Sequence, residues 1–278
     1  MKITELISES ADENRAIISL AQVLYRKIYN NYAIPNQEID YDTDYTDDNY
    51  GNNDYSDDSE FGNTNIDYEP GGDEEKIKLG KIGDMFDSSI PALDNIKIEL
   101  ISDYSIHKLF SKEEGHEAMG HTILGFWSSD TNTISFNADR LRDKRMETIV
   151  GHELRHALDD IKSNYKGNVS TRYTTPKNPE HRKDKSMNYL AQPAEINARF
   201  TEVLHNLLPK IQNAVKLPAD QQRDKLIKDL NVELQRNHIS AMFPEKTQSS
   251  DYKRLLKRAW EFIQKEVDHL KSVDSEQK

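Results

Sequence analysis

None of the 278 residues is cysteine, which excludes disulfides, thiolate metal sites, iron–sulfur clusters and a cysteine nucleophile. Any metal must be held by His, Asp or Glu. The chain also lacks an apolar run of membrane-spanning length, and its opening MKITELISESADENR carries acids where a leader would be apolar. Neither a membrane partner nor a secretory signal is expected, and a soluble, cytoplasmic protein is the reading. A basic excess is missing as well: 37 Lys and Arg stand against 49 Asp and Glu, a net charge of -12. That argues against nucleic acid as a partner.

The acidity is local. Between Glu38 and Glu75 there are fifteen Asp or Glu and no Lys or Arg, so outside that tract 37 basic residues face 34 acidic ones. With Asn, Gly, Ser and Tyr filling the gaps, such a segment cannot bury enough apolar surface to offset its ordering entropy. Residues 36–75 are therefore expected to be a disordered acidic linker. Asp40, Asp42 and Asp44 alternate like the start of a calcium loop, but Tyr45 stands where the turn glycine belongs and Gly51 where the closing glutamate belongs, so an EF-hand is rejected.

On either side of the tract the pattern is orderly. Ile17, Ile18, Ala21, Leu24, Tyr25 and Ile28 recur at helical spacing, predicting one amphipathic helix within residues 1–35 that docks on the main domain. In residues 76–278, Ile96, Ile98 and Leu100 alternate as a strand would. His121 to Trp127 and Thr133 to Phe136 read as two more strands around the turn SSDTN. From about Asp139 the period is helical to the end, with breaks expected between Asn164 and Asn188 and at Pro209, Pro218 and Pro244. An α+β fold with a small sheet and a mainly helical C-terminal part follows.

The segment METIVGHELRHALDDI contains His152-Glu153-Leu154-Arg155-His156, an H-E-x-x-H pattern that sets two imidazoles one helical turn apart on one face. At about 100° per residue, Met146, Leu154, Ala157 and Ile161 fall within roughly 40° of Val150, while the histidines lie roughly 200° and 240° round. The stripe is predicted to meet the core and the histidines to face a cleft. A catalytic zinc takes three protein ligands and keeps one position open. Glu195, in YLAQPAEINARF, is the predicted third ligand, placed in the first turn of a helix begun by Pro193. Glu153, between the histidines yet angularly offset from them, suits a general base. Asp159 shares the histidine face and is predicted to accept an imidazole N–H, with Asp160 as its rival.

HELRHALDD, followed 39 residues after its second histidine by AEINARFTEVLHN, resembles the gluzincin zinc metallopeptidases, most closely the family of the anthrax lethal factor catalytic domain. The likeness runs from Thr148 to Asn206. It implies a zincin-like fold whose edge strand packs on the active helix, and one catalytic zinc ion held by His152, His156 and Glu195. It also implies Glu153 as catalytic base, Tyr189 as the tyrosine assisting the tetrahedral intermediate, and a protein or peptide substrate. Tyr173 and Tyr165 are alternatives for the phenol. Two positions depart from the pattern: Arg155 stands where relatives prefer glycine, and Arg199 where they often carry an acid. The opening residues and the acidic tract resemble tailed-phage proteins, which would imply a virion or host-cell setting.

Other histidines read differently. His116 and His121 are five apart and cannot chelate together on a helix, and His181 and His205 are expected to be surface or packing residues. Seven Lys or Arg between Lys162 and Lys185 face only Glu180 and Asp184, so this loop suits an acidic substrate segment or the chain's own acidic tract. The function expected is a zinc-dependent endopeptidase using a Glu-activated water. The alternative is a binding or virion-associated structural protein that keeps the fold after catalysis has decayed.

Overall fold

The computed structural model describes residues 11–33, 76–87, 89–110, 123–163, 193–243 and 250–276. The elements, in chain order, are α1 (Ala11–Tyr32), β1 (Lys76–Lys81), α2 (Ile82–Met85), β2 (Lys97–Ile101), α3 (Asp103–Phe110), β3 (Gly125–Ser128) and β4 (Thr133–Asn137). After them come α4 (Met146–Lys162), α5 (Pro193–Ala214), α6 (Ala219–Arg236), α7 (Ile239–Met242) and α8 (Ser250–Glu276). This is an α+β fold: four strands with helices before and among them, then a helical C-terminal part. The acidic tract and the segment around Pro244 lie outside the described residues.

The sheet is mixed, in the order β1-β2-β4-β3, with β2 and β4 parallel and the outer pairs antiparallel. The expected strands at Ile96–Leu100 and Thr133–Phe136 form, and of the one expected from His121 to Trp127 the strand observed is Gly125–Ser128. Strand β4 is buried at every position, which suits its β-branched and aromatic residues and its place between two neighbours. The turn from β3 to β4 puts Asn132 at φ 54°, the left-handed region that asparagine tolerates better than most residues. Strand β1 is an addition to the three. Its KIKLGK alternates, but it is short and lysine-rich, as an edge strand protected from further pairing tends to be, and its register slips between Lys78 and Gly80.

Two apolar clusters make the core. One joins the sheet, through Ile98, Leu100, Ile134 and Phe136, to the stripe of α4, where Met146, Val150, Leu154 and Ala157 are all buried. That stripe is the one its periodicity predicts. The other cluster lies among α5, α6 and α8, around Phe200, Leu204, Leu230, Leu234, Phe262 and Ile263. Helix α1 belongs to both, giving Ile17, Leu20, Ala21, Leu24 and Ile28 to the first and Ile18 to the second. Each fully buried Leu or Ile contributes about 1.5–3 kcal/mol, so α1 is structural rather than appended.

Helix α5 corrects one expectation. It runs unbroken through Pro209, although a proline inside a helix removes one backbone donor and crowds the preceding turn. Leu207, Ile211 and Ala214 on either side are all buried in the helical cluster, and that packing outweighs the local cost. Pro218 does mark a boundary, at the N-cap of α6. Among the described residues no helix is long and apolar enough to cross a membrane.

Candidate metal centre

Helix α4 buries its apolar stripe against the sheet, and this turns His152 and His156 toward the first turn of α5. The rings meet edge to face, with centroids 4.7 Å apart, and their Nε2 atoms are 3.0 Å apart. Glu195 enters from α5, its Oε2 3.6 Å from His152 Nε2 and 3.4 Å from His156 Nε2. Donors about 2.0–2.2 Å from a tetrahedral ion stand about 3.3–3.6 Å from one another; the two edges to Glu195 fall in that range, and the 3.0 Å edge between the imidazoles is shorter. Glu195 Oε2 is buried and has no hydrogen-bond partner. An orphaned buried carboxylate oxygen is costly unless something positive meets it. His152, His156 and Glu195 can thus hold a metal ion.

Without an ion, the same groups pair their charges with one another. Burial acts to lower the pKa of His152, but the Glu195 and Glu202 carboxylates outweigh it and hold the imidazole well above its ordinary value. Burial acts to raise Glu195, yet the two imidazoles hold it well below the usual carboxylate range. Its place in the first turn of α5 adds the helix dipole to what favours its charge. Glu153 is buried as well, and that burial pushes its carboxyl pKa up despite the neighbouring imidazoles.

The residues behind the triangle differ from expectation. Asp159 does not carry an imidazole: its oxygens accept from Arg155 Nη2 at 2.6 Å and Asn197 Nδ2 at 3.1 Å. Asp160 accepts from Trp127 Nε1 at 2.6 Å, which ties edge strand β3 to α4. The acid on the His152 ring is Glu202, its Oε1 2.5 Å from Nδ1. Sequence reasoning missed it, although Glu202 lies seven residues after Glu195 and so on the same face of α5. Arg199 donates from Nε to Glu195 Oε1 at 2.6 Å.

Helices α4 and α5 run antiparallel and are joined by three polar rungs: Glu147 with His205, His152 with Glu202, and Asp159 with Asn197. His205 is therefore a packing residue, as expected. Tyr189, Tyr173, Tyr165, His181, His116 and His121, with most of the basic loop from Lys162 to Lys185, lie outside the described residues. Comparison with known proteins finds no matching family, no similar curated protein and no similar solved structure.

Proposed function

We infer that this chain is a zinc-dependent endopeptidase of gluzincin type, with a zincin-like fold, acting on a protein or peptide. One observation carries the reading. Two imidazole nitrogens and an unpartnered carboxylate oxygen converge with edges of 3.0, 3.4 and 3.6 Å, and the helix that supplies the nitrogens holds a buried glutamate between them. A donor set of two nitrogens and one oxygen, leaving a position open, is that of catalytic zinc.

Zinc, when bound, supplies Lewis acidity that polarises a carbonyl and acidifies water. The chain's own residues do the rest. Glu153 takes the proton of the attacking water on its carboxylate and delivers it to the leaving amine nitrogen. Burial, by raising the carboxyl pKa, brings that proton affinity nearer the operating pH, where a general base works best. Glu202 holds the His152 ring through Nδ1, fixing the tautomer that presents a lone pair at Nε2. Arg199 engages one oxygen of Glu195 and leaves the other for the ion. Tyr189, outside the described residues, is assigned to donate a hydrogen bond to the developing oxyanion. Strand β3, at the sheet edge, is assigned to pair with an extended substrate.

The test is Glu153→Gln. The variant should bind zinc as the parent does, keep its fold, and lose peptide cleavage by at least about 100-fold. Cleavage at the parent rate would remove Glu153 from the chemistry, whereas a zinc-loaded parent that cleaves no peptide would favour a zincin-like binding protein.

A further inference from the structure

Arg155 follows the catalytic glutamate by two residues, and its side chain has no exposed surface. A guanidinium buried so completely needs partners for its donors, and it finds them on two helices. Nη1 donates to Glu13 Oε1 of α1 at 2.9 Å, and Nη2 to Asp159 Oδ1 of its own helix at 2.6 Å. The other oxygen of Asp159 accepts from Asn197 of α5 at 3.1 Å, two residues beyond Glu195. The second oxygen of Glu13 accepts from Lys162 at 2.5 Å, so α1 grips α4 on both sides of Asp159. Close by, a Cβ built on Gly151, next to His152, would sit 3.6 Å from Ala21 Cβ of α1.

We propose that Glu13, Arg155, Asp159 and Asn197 form a positioning relay through which α1 sets the spacing between the histidine pair and Glu195. The proposal rests on the metal site above and adds a residue, Glu13, that lies 142 positions from Arg155 in the sequence. The geometry is direct. The donor triangle is built from two separate helices, so its edges depend on how α4 and α5 register against each other. On one side of the triangle that register is held by His152 with Glu202, and on the other by Asp159 with Asn197. Asp159 accepts from Arg155 on one oxygen and from Asn197 on the other, and Arg155 also donates to Glu13. A shift of a few tenths of an ångström at the triangle is enough to spoil a tetrahedral site. Arginine at this position therefore comes with α1 as the element that orients it.

The experiment uses the full chain and measures Zn2+ affinity by competition with a chromophoric chelator, together with the visible spectrum of the Co2+-loaded protein. Asn197→Ala and Glu13→Ala should each weaken Zn2+ binding by about tenfold, the lower end for outer-shell partners, and alter the cobalt bands. Glu13→Gln keeps an oxygen for Arg155 and should stay near the parent. Leu230→Ala, in the helical cluster away from the relay, controls for general destabilisation and should leave both readouts unchanged. If Asn197→Ala does not fold, Asn197→Ser, too short to reach Asp159, replaces it. Parent-like affinity and cobalt bands in folded Asn197 and Glu13→Ala variants would overturn the relay, as would equal weakening in Leu230→Ala. A parent that binds neither ion would overturn the metal site itself, a result distinct from either.

Discussion

Replacing Arg155 with Met separates the energetic weight of the buried arginine from its effect on the metal. The guanidinium has 0% exposure, with partners Glu13 at 23% and Asp159 at 4%. Removing one partner of a buried ion pair costs about 3–5 kcal/mol, because the remaining charge is left uncompensated. Glu13 keeps Lys162 and contact with water, and Asp159 keeps Asn197, so the lower end, about 3 kcal/mol, is expected. Against a typical total of about 5–15 kcal/mol that is a large share. Chemical denaturation at neutral pH in the presence of a chelator measures it, with the midpoint falling at unchanged slope. Adding Asp159→Asn to Arg155→Met should recover part of the loss, since the stranded buried charge is gone. A loss below about 1 kcal/mol for Arg155→Met, or no recovery in the double variant, would show that the arginine is not held as an integral buried pair.

The metal-free protein should lose stability on the alkaline side. His152 has its folded-state pKa raised well above 6.5, so its contribution is complete below that value and is lost as pH rises through the folded pKa; a chelator-treated Tm that rises with pH above 6.5 would contradict this. Glu202→Ala should weaken metal affinity by about 10–100-fold, because the His152 ring loses the acid that orients it, and titration with a competing chelator reads it. Gly151→Ala should stabilise the protein by up to about 1 kcal/mol, the helix-propensity difference, because the added carbon meets Ala21 at 3.6 Å and Thr201 at 3.8 Å, ordinary contact distances. A lowered Tm would show that α1 and α4 pack more tightly there than these distances indicate.

What is legible in the sequence is what repeats locally. The stripe of α4, the two histidines opposite it and the alternation of β2 and β4 are periodic signals, and each appears where its period puts it. Glu195 is legible from a donor-count argument, because a site without cysteine needs a third oxygen or nitrogen and a helix start lies at hand. The residues behind the ligands are not legible, since their partners are set by helix packing. Asp159 shares the histidine face, yet Arg155 and Asn197 take its oxygens. Glu202 serves His152 from 50 residues away, and nothing short of the register between α4 and α5 selects it over the other acids of the chain. Pro209 misleads for the same reason: a local rule announces a break, and burial of the neighbouring leucine and isoleucine overrides it.

The most direct test is to load the purified chain with Zn2+ and read stoichiometry, affinity and coordination together, using X-ray absorption for the last, in the parent and in His156→Ala and Glu195→Ala. One ion per chain is expected, bound by two imidazole nitrogens and a carboxylate oxygen, with affinity lost by orders of magnitude in both variants. A bound ion whose shell and affinity do not change when Glu195 is replaced would contradict the three-donor site on which the proposed hydrolysis depends.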